Sequence, residues 1–262
     1  MKNKIKYTIA IVSALLFAAL LLVGCGKEEI PLPPPEGDDG IVTILLDAGH
    51  GFSDIGCTSP NLRGLHEKDL TLKYVNMLGE LLSSKGYTVL YTHDGSSFTK
   101  NEEILTKADL LGIEYNPDNF VDDDIFSAYE RTIYSEALHR EIEIDLMLSI
   151  HINASADNTD CSWFEIDYCN EKEASPITAV AFNDISNSIK KAFPERTLKM
   201  FADSFIDSFI VTKYNSMPSI LFECGFATTP ADAERLLDKD WQETLIKALS
   251  DGISDYFHKN DY

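Results

Sequence analysis

Four ionisable residues stand where a folded chain would pay for them only in return for chemistry. His50 lies between two glycines in Asp47-Ala48-Gly49-His50-Gly51, a spacing that allows a sharp turn and presents the imidazole. His151 follows directly on the apolar run Leu146-Met147-Leu148-Ser149-Ile150, and Glu223 follows Ser219-Ile220-Leu221-Phe222. A charge at the end of a buried strand costs several kcal/mol unless it is solvated, paired or metal-bound. Glu67 joins them, within Gly64-Leu65-His66-Glu67-Lys68-Asp69 at the start of an expected helix. Two neutral imidazoles and a carboxylate suit a catalytic zinc that keeps its fourth position open. His50, Glu67 and His151 are therefore the expected ligands of one Zn2+ per chain. Glu223 is left free to act on water as general base and on a leaving nitrogen as general acid. Ligands scattered over about 100 residues have no regular interval, so spacing alone does not fix this assignment.

Positioning these groups falls to alternating strands and helices. The run Ile41-Val42-Thr43-Ile44-Leu45-Leu46 reads as a strand buried on both faces, which suggests a parallel sheet. Apolar residues at helical spacing from Asp69 predict a helix that stops at Lys85-Gly86, and a strand is expected over 87–92. Further helices are expected over 127–140, 178–192, 231–237 and 241–257. Further strands are expected over 145–150, 163–168, near 209–211 and over 219–222. This order predicts an α/β fold: a single domain over 41–262, with a mostly parallel, mixed, twisted sheet of about six strands flanked by helices on both faces. Three of the four chemical residues then fall at one edge of the sheet, the expected ligand crevice of a doubly wound fold. The polar, acidic stretch 93–124 reads as an excursion beside the site or at the domain edge.

The N-terminus reads differently. Lys2, Lys4 and Lys6 precede an apolar run to Val23, then Gly24 and Cys25, the order of an export signal over residues 1–24. Leu22-Val23-Gly24-Cys25 resembles the bacterial lipobox, which implies that Cys25 becomes a lipidated N-terminus. Residues 25–40 then form a proline-rich, acidic tether, extended at about 3.1 Å per residue. An exported, membrane-anchored lipoprotein facing the cell wall, in periplasm or at the cell surface, is expected. The formal charge is −21 and becomes −24 without the leader, whose three lysines are matched by no acid. Such a surface repels phosphate backbones and argues against a nucleic-acid partner. Five cysteines without a CxxC pair suggest neither a disulfide scaffold nor a zinc ribbon. Cys161 and Cys169 flank one expected strand spanning about 26 Å, so they do not bond to each other unless the segment turns back.

Four blocks in the chain carry a resemblance. Leu45-Leu46-Asp47-Ala48-Gly49-His50-Gly51, Gly64-Leu65-His66-Glu67-Lys68-Asp69-Leu70, Ser149-Ile150-His151-Ile152-Asn153-Ala154 and Pro218-Ser219-Ile220-Leu221-Phe222-Glu223-Cys224-Gly225-Phe226 resemble the zinc-dependent N-acetylmuramoyl-L-alanine amidases of type 3. The likeness covers about residues 41–257. It implies hydrolysis of peptidoglycan between the lactyl group of muramic acid and the first alanine of the stem peptide. It also implies zinc on His50, Glu67 and His151 with Glu223 catalytic, the set that strand-end placement selects. Peptidoglycan and a membrane reached through the N-terminal lipid are the implied partners, with room for an unidentified activator protein. The chain departs from the family pattern where Tyr91-Thr92-His93-Asp94 replaces the usual Thr-Arg ending of the second strand, and in the long acidic excursion. Residues 155–200 are too few for the autoinhibitory insertion of some Gram-negative relatives, so no plug of that kind is expected.

Other residues have plainer expected roles. His66, His93, His139 and His258 are expected to be structural or solvated, as isolated histidines usually are. Asn153 and Arg131 are the candidates for substrate contact. Asn153 and Asp47 are more simply turn residues, and Arg131 a helix-surface residue or a buried ion-pair partner. Cys224 beside Glu223 has no neighbouring histidine of a cysteine-hydrolase motif and reads as a packing residue. Two other functions fit the same residues: another zinc amidohydrolase or peptidase acting on muropeptides or peptides, and a catalytically silent wall-binding lipoprotein.

Overall fold

The computed structural model describes residues 41–51, 53–59, 61, 64, 66–95, 107–112, 123–156 and 160–259, with the backbone alone for 123–126. The expected leader, Cys25, the tether and much of the 93–124 excursion lie outside the described residues. Six strands form one sheet in the order β2-β1-β3-β6-β4-β5. They are β1 (Thr43–Ala48), β2 (Thr88–Tyr91), β3 (Leu146–Asn153), β4 (Phe164–Cys169), β5 (Leu198–Asp203) and β6 (Ser219–Phe226). Neighbouring pairs run parallel except β4 with β6, so β4 and β5 point against the other four. The helices are α1 (Glu67–Ser84), α2 (Asp123–Glu141), α3 (Ser175–Ala192), α4 (Ile210–Lys213), α5 (Pro230–Leu237) and α6 (Lys239–Lys259).

Side chains alternate across a strand, and that period of two sorts the sheet into unlike faces. Ile44, Leu46, Leu148, Ile150, Ile220 and Phe222 point into the main core, which α1, α3 and α6 close with Tyr74, Leu78, Ile185, Leu249 and Ile253. Leu45, Met147 and Leu221 point the other way, into a smaller cluster covered by Val211 of α4 and bordered by Leu138 of α2. Asp47, Ser149, His151 and Glu223 share this second face, because each stands an even number of residues from Leu45, Met147 or Leu221. The face is apolar at its middle and polar at the carboxyl ends of β1, β3 and β6. On the other face α3 and α6 cross closely at Gly252, where a Cβ would stand 2.6 Å from Ile185 Cα.

The expected strand near 209–211 is instead the short helix α4. Phe209-Ile210-Val211 is an apolar triplet, and a run that short does not distinguish a strand from a covering turn of helix. The actual strand, β5, was not expected, because its edge position leaves Phe201 and Ala202 exposed and removes the continuous apolar run. β3 and β6 also continue past their expected ends, so His151 and Glu223 lie within paired strands as register partners. The four cysteines among the described residues are free. No helix among the described residues is long and apolar enough to cross a membrane.

Candidate metal centre

The chain leaves β1 towards β2 on one side and reaches β3 on the other, so the space above β1 and β3 is the switch point of the sheet. His50 occupies it. Its backbone takes the left-handed conformation, φ 65°, uncommon for a residue with a Cβ. Three bonds hold the turn: Gly49 N–H donates to Ile150 O at 2.9 Å, Thr71 Oγ1 donates to Gly49 O at 2.7 Å, and Gly51 N–H donates to Asp54 O at 2.9 Å. The glycines are required by what lies over them. A Cβ on Gly49 would stand 2.5 Å from His151 Cε1, and one on Gly56 would stand 2.7 Å from both Glu67 Oε2 and His50 Cδ2.

Glu67 opens α1 and is almost wholly buried. Each carboxylate oxygen accepts one backbone N–H, Oε1 from Ile152 and Oε2 from Cys57, both at 2.8 Å. The same oxygens face the two imidazoles, His50 Nε2 at 3.1 Å from Oε2 and His151 Nδ1 at 3.3 Å from Oε1. The rings of His50 and His151 meet edge to face with centroids 5.0 Å apart. One donor atom from each of His50, Glu67 and His151 lies within 4.8 Å of the others, a group that could hold a metal ion. His66, beside Glu67, takes the N-cap position instead and stands outside the cluster.

The charges of this group are strongly coupled to one another. Burial alone would lower the His50 pKa, but Asp54 and Glu67 overcome it and push the imidazole up to about 9. Glu67, which burial would raise, is held well below the usual carboxylate range by both histidines. Two imidazole nitrogens and a carboxylate fit zinc, and His50 Nδ1 rests on the Asp54 carboxylate at 2.9 and 2.8 Å, the usual outer partner of a metal-bound histidine.

Glu223 sits beside the group, opposite His151 on β3 and opposite Glu165 on β4. It is 7% exposed, and its Oε2 has no hydrogen-bond partner among the described residues. Burial first, then the charges of Glu67, Glu165 and Asp167, push its carboxyl well above the usual range. The residues border a cavity of about 560 Å³ that continues down the second sheet face past Ala128, Phe209, Val211 and Leu221.

The remaining residues expected at the site separate into wall and foundation. Asn153 lines the cavity, but its Nδ2 donates to Glu165 Oε2 at 2.9 Å. Arg131 also borders the cavity, yet its Nε donates to Asp47 Oδ1 at 2.8 Å and Nη1 to Ser127 Oγ at 2.6 Å. Asp47 is no turn residue. It is fully buried and also accepts the hydroxyls of Thr92 and Ser149, both at 2.6 Å, so it ties β1, β3, α2 and the end of β2 together. Burial would raise its pKa, and Arg131, Ser149 and Thr92 bring it below the usual value. His93 is buried with Nε2 on Ala48 O at 2.9 Å, a structural place. Asp54 and Glu165 have no expected role in the sequence reading, and neither Cys57 nor the 209–211 segment is expected there at the site. The only signal for Asp54 was its place in a glycine-bounded turn four residues after His50.

Fold and site together place the chain among α/β proteins with a candidate metal centre at a sheet switch point. The family model described as N-acetylmuramoyl-L-alanine amidase matches residues 44–255, and the chain belongs to that family. The uncharacterized protein YqiI of Bacillus subtilis (strain 168) is 28% identical over 247 residues, 93% of this chain and 95% of that protein. The probable cell wall amidase LytH of Staphylococcus epidermidis is 23% identical over 215 residues, 82% of this chain and 58% of its own length. Among solved structures, the CwlD amidase from Clostridioides difficile, in complex with the GerS lipoprotein, superposes with a TM-score of 0.66 at 22% identity. That match covers 83% of this chain and 99% of CwlD. The catalytic domain of CwlV, an N-acetylmuramoyl-L-alanine amidase from Bacillus (Paenibacillus) polymyxa, gives 0.61 at 20% identity, over 83% of this chain and 99% of that domain. At these identities the structural likeness speaks for the fold.

Proposed function

We propose that the protein is a zinc-dependent peptidoglycan amidase that hydrolyses the bond between N-acetylmuramic acid and the L-alanine of the stem peptide. The observation that carries this is the meeting of His50, Glu67 and His151 around one point with the Oε2 of Glu223 buried and unpartnered beside it. Family membership supplies the substrate. When bound, zinc supplies Lewis acidity, which polarises a carbonyl and acidifies water. His50, Glu67 and His151 would hold it. Glu223 accepts a proton from the attacking water on Oε2 as the new C–O bond forms. It returns that proton to the alanine nitrogen as the C–N bond breaks. Burial and the nearby carboxylates raise the proton affinity of the Glu223 carboxylate, which favours its taking the proton from water.

The reading extends to an exported lipoprotein anchored through Cys25, supported by the residue order Lys2 to Cys25. The complex of CwlD with a lipoprotein supports testing for an accessory protein as well. The decisive assay is digestion of purified sacculi by wild type and Glu223→Gln, with products read by mass spectrometry. Wild type is expected to free intact stem peptides with new amino-terminal alanine, and the variant to do so about 10²–10⁴-fold more slowly. Equal rates would remove Glu223 from the mechanism. Cleavage inside the stem peptide would favour a peptidase on the same core.

A further inference from the structure

We propose that Asp54 is the positioning residue that sets the metal affinity of this centre, by fixing the ring and backbone of His50 together. The inference rests on the metal-binding reading of His50, Glu67 and His151. The Asp54 carboxylate is buried, 2% exposed, and both of its oxygens face His50 Nδ1, at 2.9 and 2.8 Å. With its proton on Nδ1 directed at a carboxylate, the ring presents the Nε2 lone pair to the cluster. His50 Nε2 is the atom that faces Glu67, at 3.1 Å.

The same residue also governs the backbone. Its carbonyl accepts the Gly51 N–H at 2.9 Å and closes a Gly51–Asp54 bridge, just after the left-handed His50. Its Oδ1 accepts the Gly56 N–H at 2.9 Å. That bond draws Gly56 to where a Cβ would touch both Glu67 Oε2 and His50 Cδ2 at 2.7 Å. Asp54 therefore links the ring, the strained turn and the wall against Glu67. Among the described residues His151 has no equivalent carboxylate: its Nε2 is buried without a hydrogen-bond partner there. The carboxylate support of the imidazole pair therefore comes from Asp54, which is not itself one of the residues lining the cavity but bonds two that are, His50 and Gly56.

The test titrates the full chain with Zn2+ against a competing chelator, for wild type, Asp54→Ala and Asp54→Asn. Cobalt(II) absorption spectra of the same proteins follow as a second readout. Asp54→Ala is expected to bind zinc about 10–100-fold more weakly. Asp54→Asn keeps an acceptor for the Gly56 N–H but loses the charge, and is expected to fall between, with a shifted cobalt spectrum. If Asp54→Ala does not fold, the asparagine variant carries the test. Zinc affinities within twofold of wild type and an unchanged cobalt spectrum would overturn the proposal. A wild-type protein that binds no zinc would instead overturn the metal-binding reading itself, which separates the two failures.

Discussion

Arg131 can be a substrate contact or part of the foundation under the site, and replacing it by methionine separates these roles. The side chain is 2% exposed and its partner Asp47 is 0% exposed. Removing the guanidinium leaves a buried carboxylate supported by the hydroxyls of Thr92 and Ser149. Breaking a buried pair from one side costs about 3–5 kcal/mol. With two hydrogen bonds still in place the lower end applies, and for a domain of this size about 3 kcal/mol lowers Tm by about 6–12 °C. The cost should depend on pH. In wild type the lowered Asp47 pKa contributes stability that is present above the ordinary 3.8 and is lost as pH falls through the folded value. Without Arg131, burial prevails, the carboxyl takes up a proton already in mild acid, and the buried charge disappears. The gap in Tm between wild type and Arg131→Met should therefore be widest near about pH 7 and narrow towards about pH 5. Calorimetry across that range, beside sacculus digestion, is the assay. Equal melting temperatures with a raised KM would refute the structural role and return Arg131 to the substrate.

Other expectations follow from the same contacts. Gly49→Ala pushes a methyl group against the His151 ring, where a Cβ would lie 2.5 Å away, and the ring must yield by about 1 Å. Displacement on that scale costs about 10²-fold in rate, measurable on sacculi while the fold persists. Burial first, then Asp203 and Glu165, push the Asp167 carboxyl up to about 8. The folded state then keeps a proton that the unfolded chain has lost, so this residue withdraws stability as pH rises from about 4 to about 8. Asp167→Asn should melt above wild type at about pH 8.5 and lose that advantage near about pH 4, and equal melting at both would contradict the shift. Cys25→Ala is expected to leave the membrane fraction for the soluble one on cell fractionation, and unchanged partitioning would count against lipidation.

What could be seen in the sequence had its cause within one strand or turn. His50 and His151 follow apolar runs or glycine turns, and β1, β3 and β6 carry long enough apolar stretches to be placed without their neighbours. Partners set by register could not be seen. Glu165 reaches Glu223 only because β4 turns antiparallel against β6, and Arg131 meets Asp47 across 84 residues. The missed strand and the mistaken one share a cause. Edge strand β5 mixes exposed and half-buried residues, whereas in the apolar triplet at 209–211 it is Val211 that packs into the cluster with Leu221.

The chemistry of the centre turns on what His50, Glu67 and His151 hold. An anomalous difference map collected at the zinc edge, from crystals of the protein purified without chelator, tests this directly. One peak per chain is expected, bonded to a nitrogen of each histidine and an oxygen of Glu67, with Glu223 beside it and outside the ligand set. A map with no peak there after zinc soaking, or with zinc held by other residues, would contradict it.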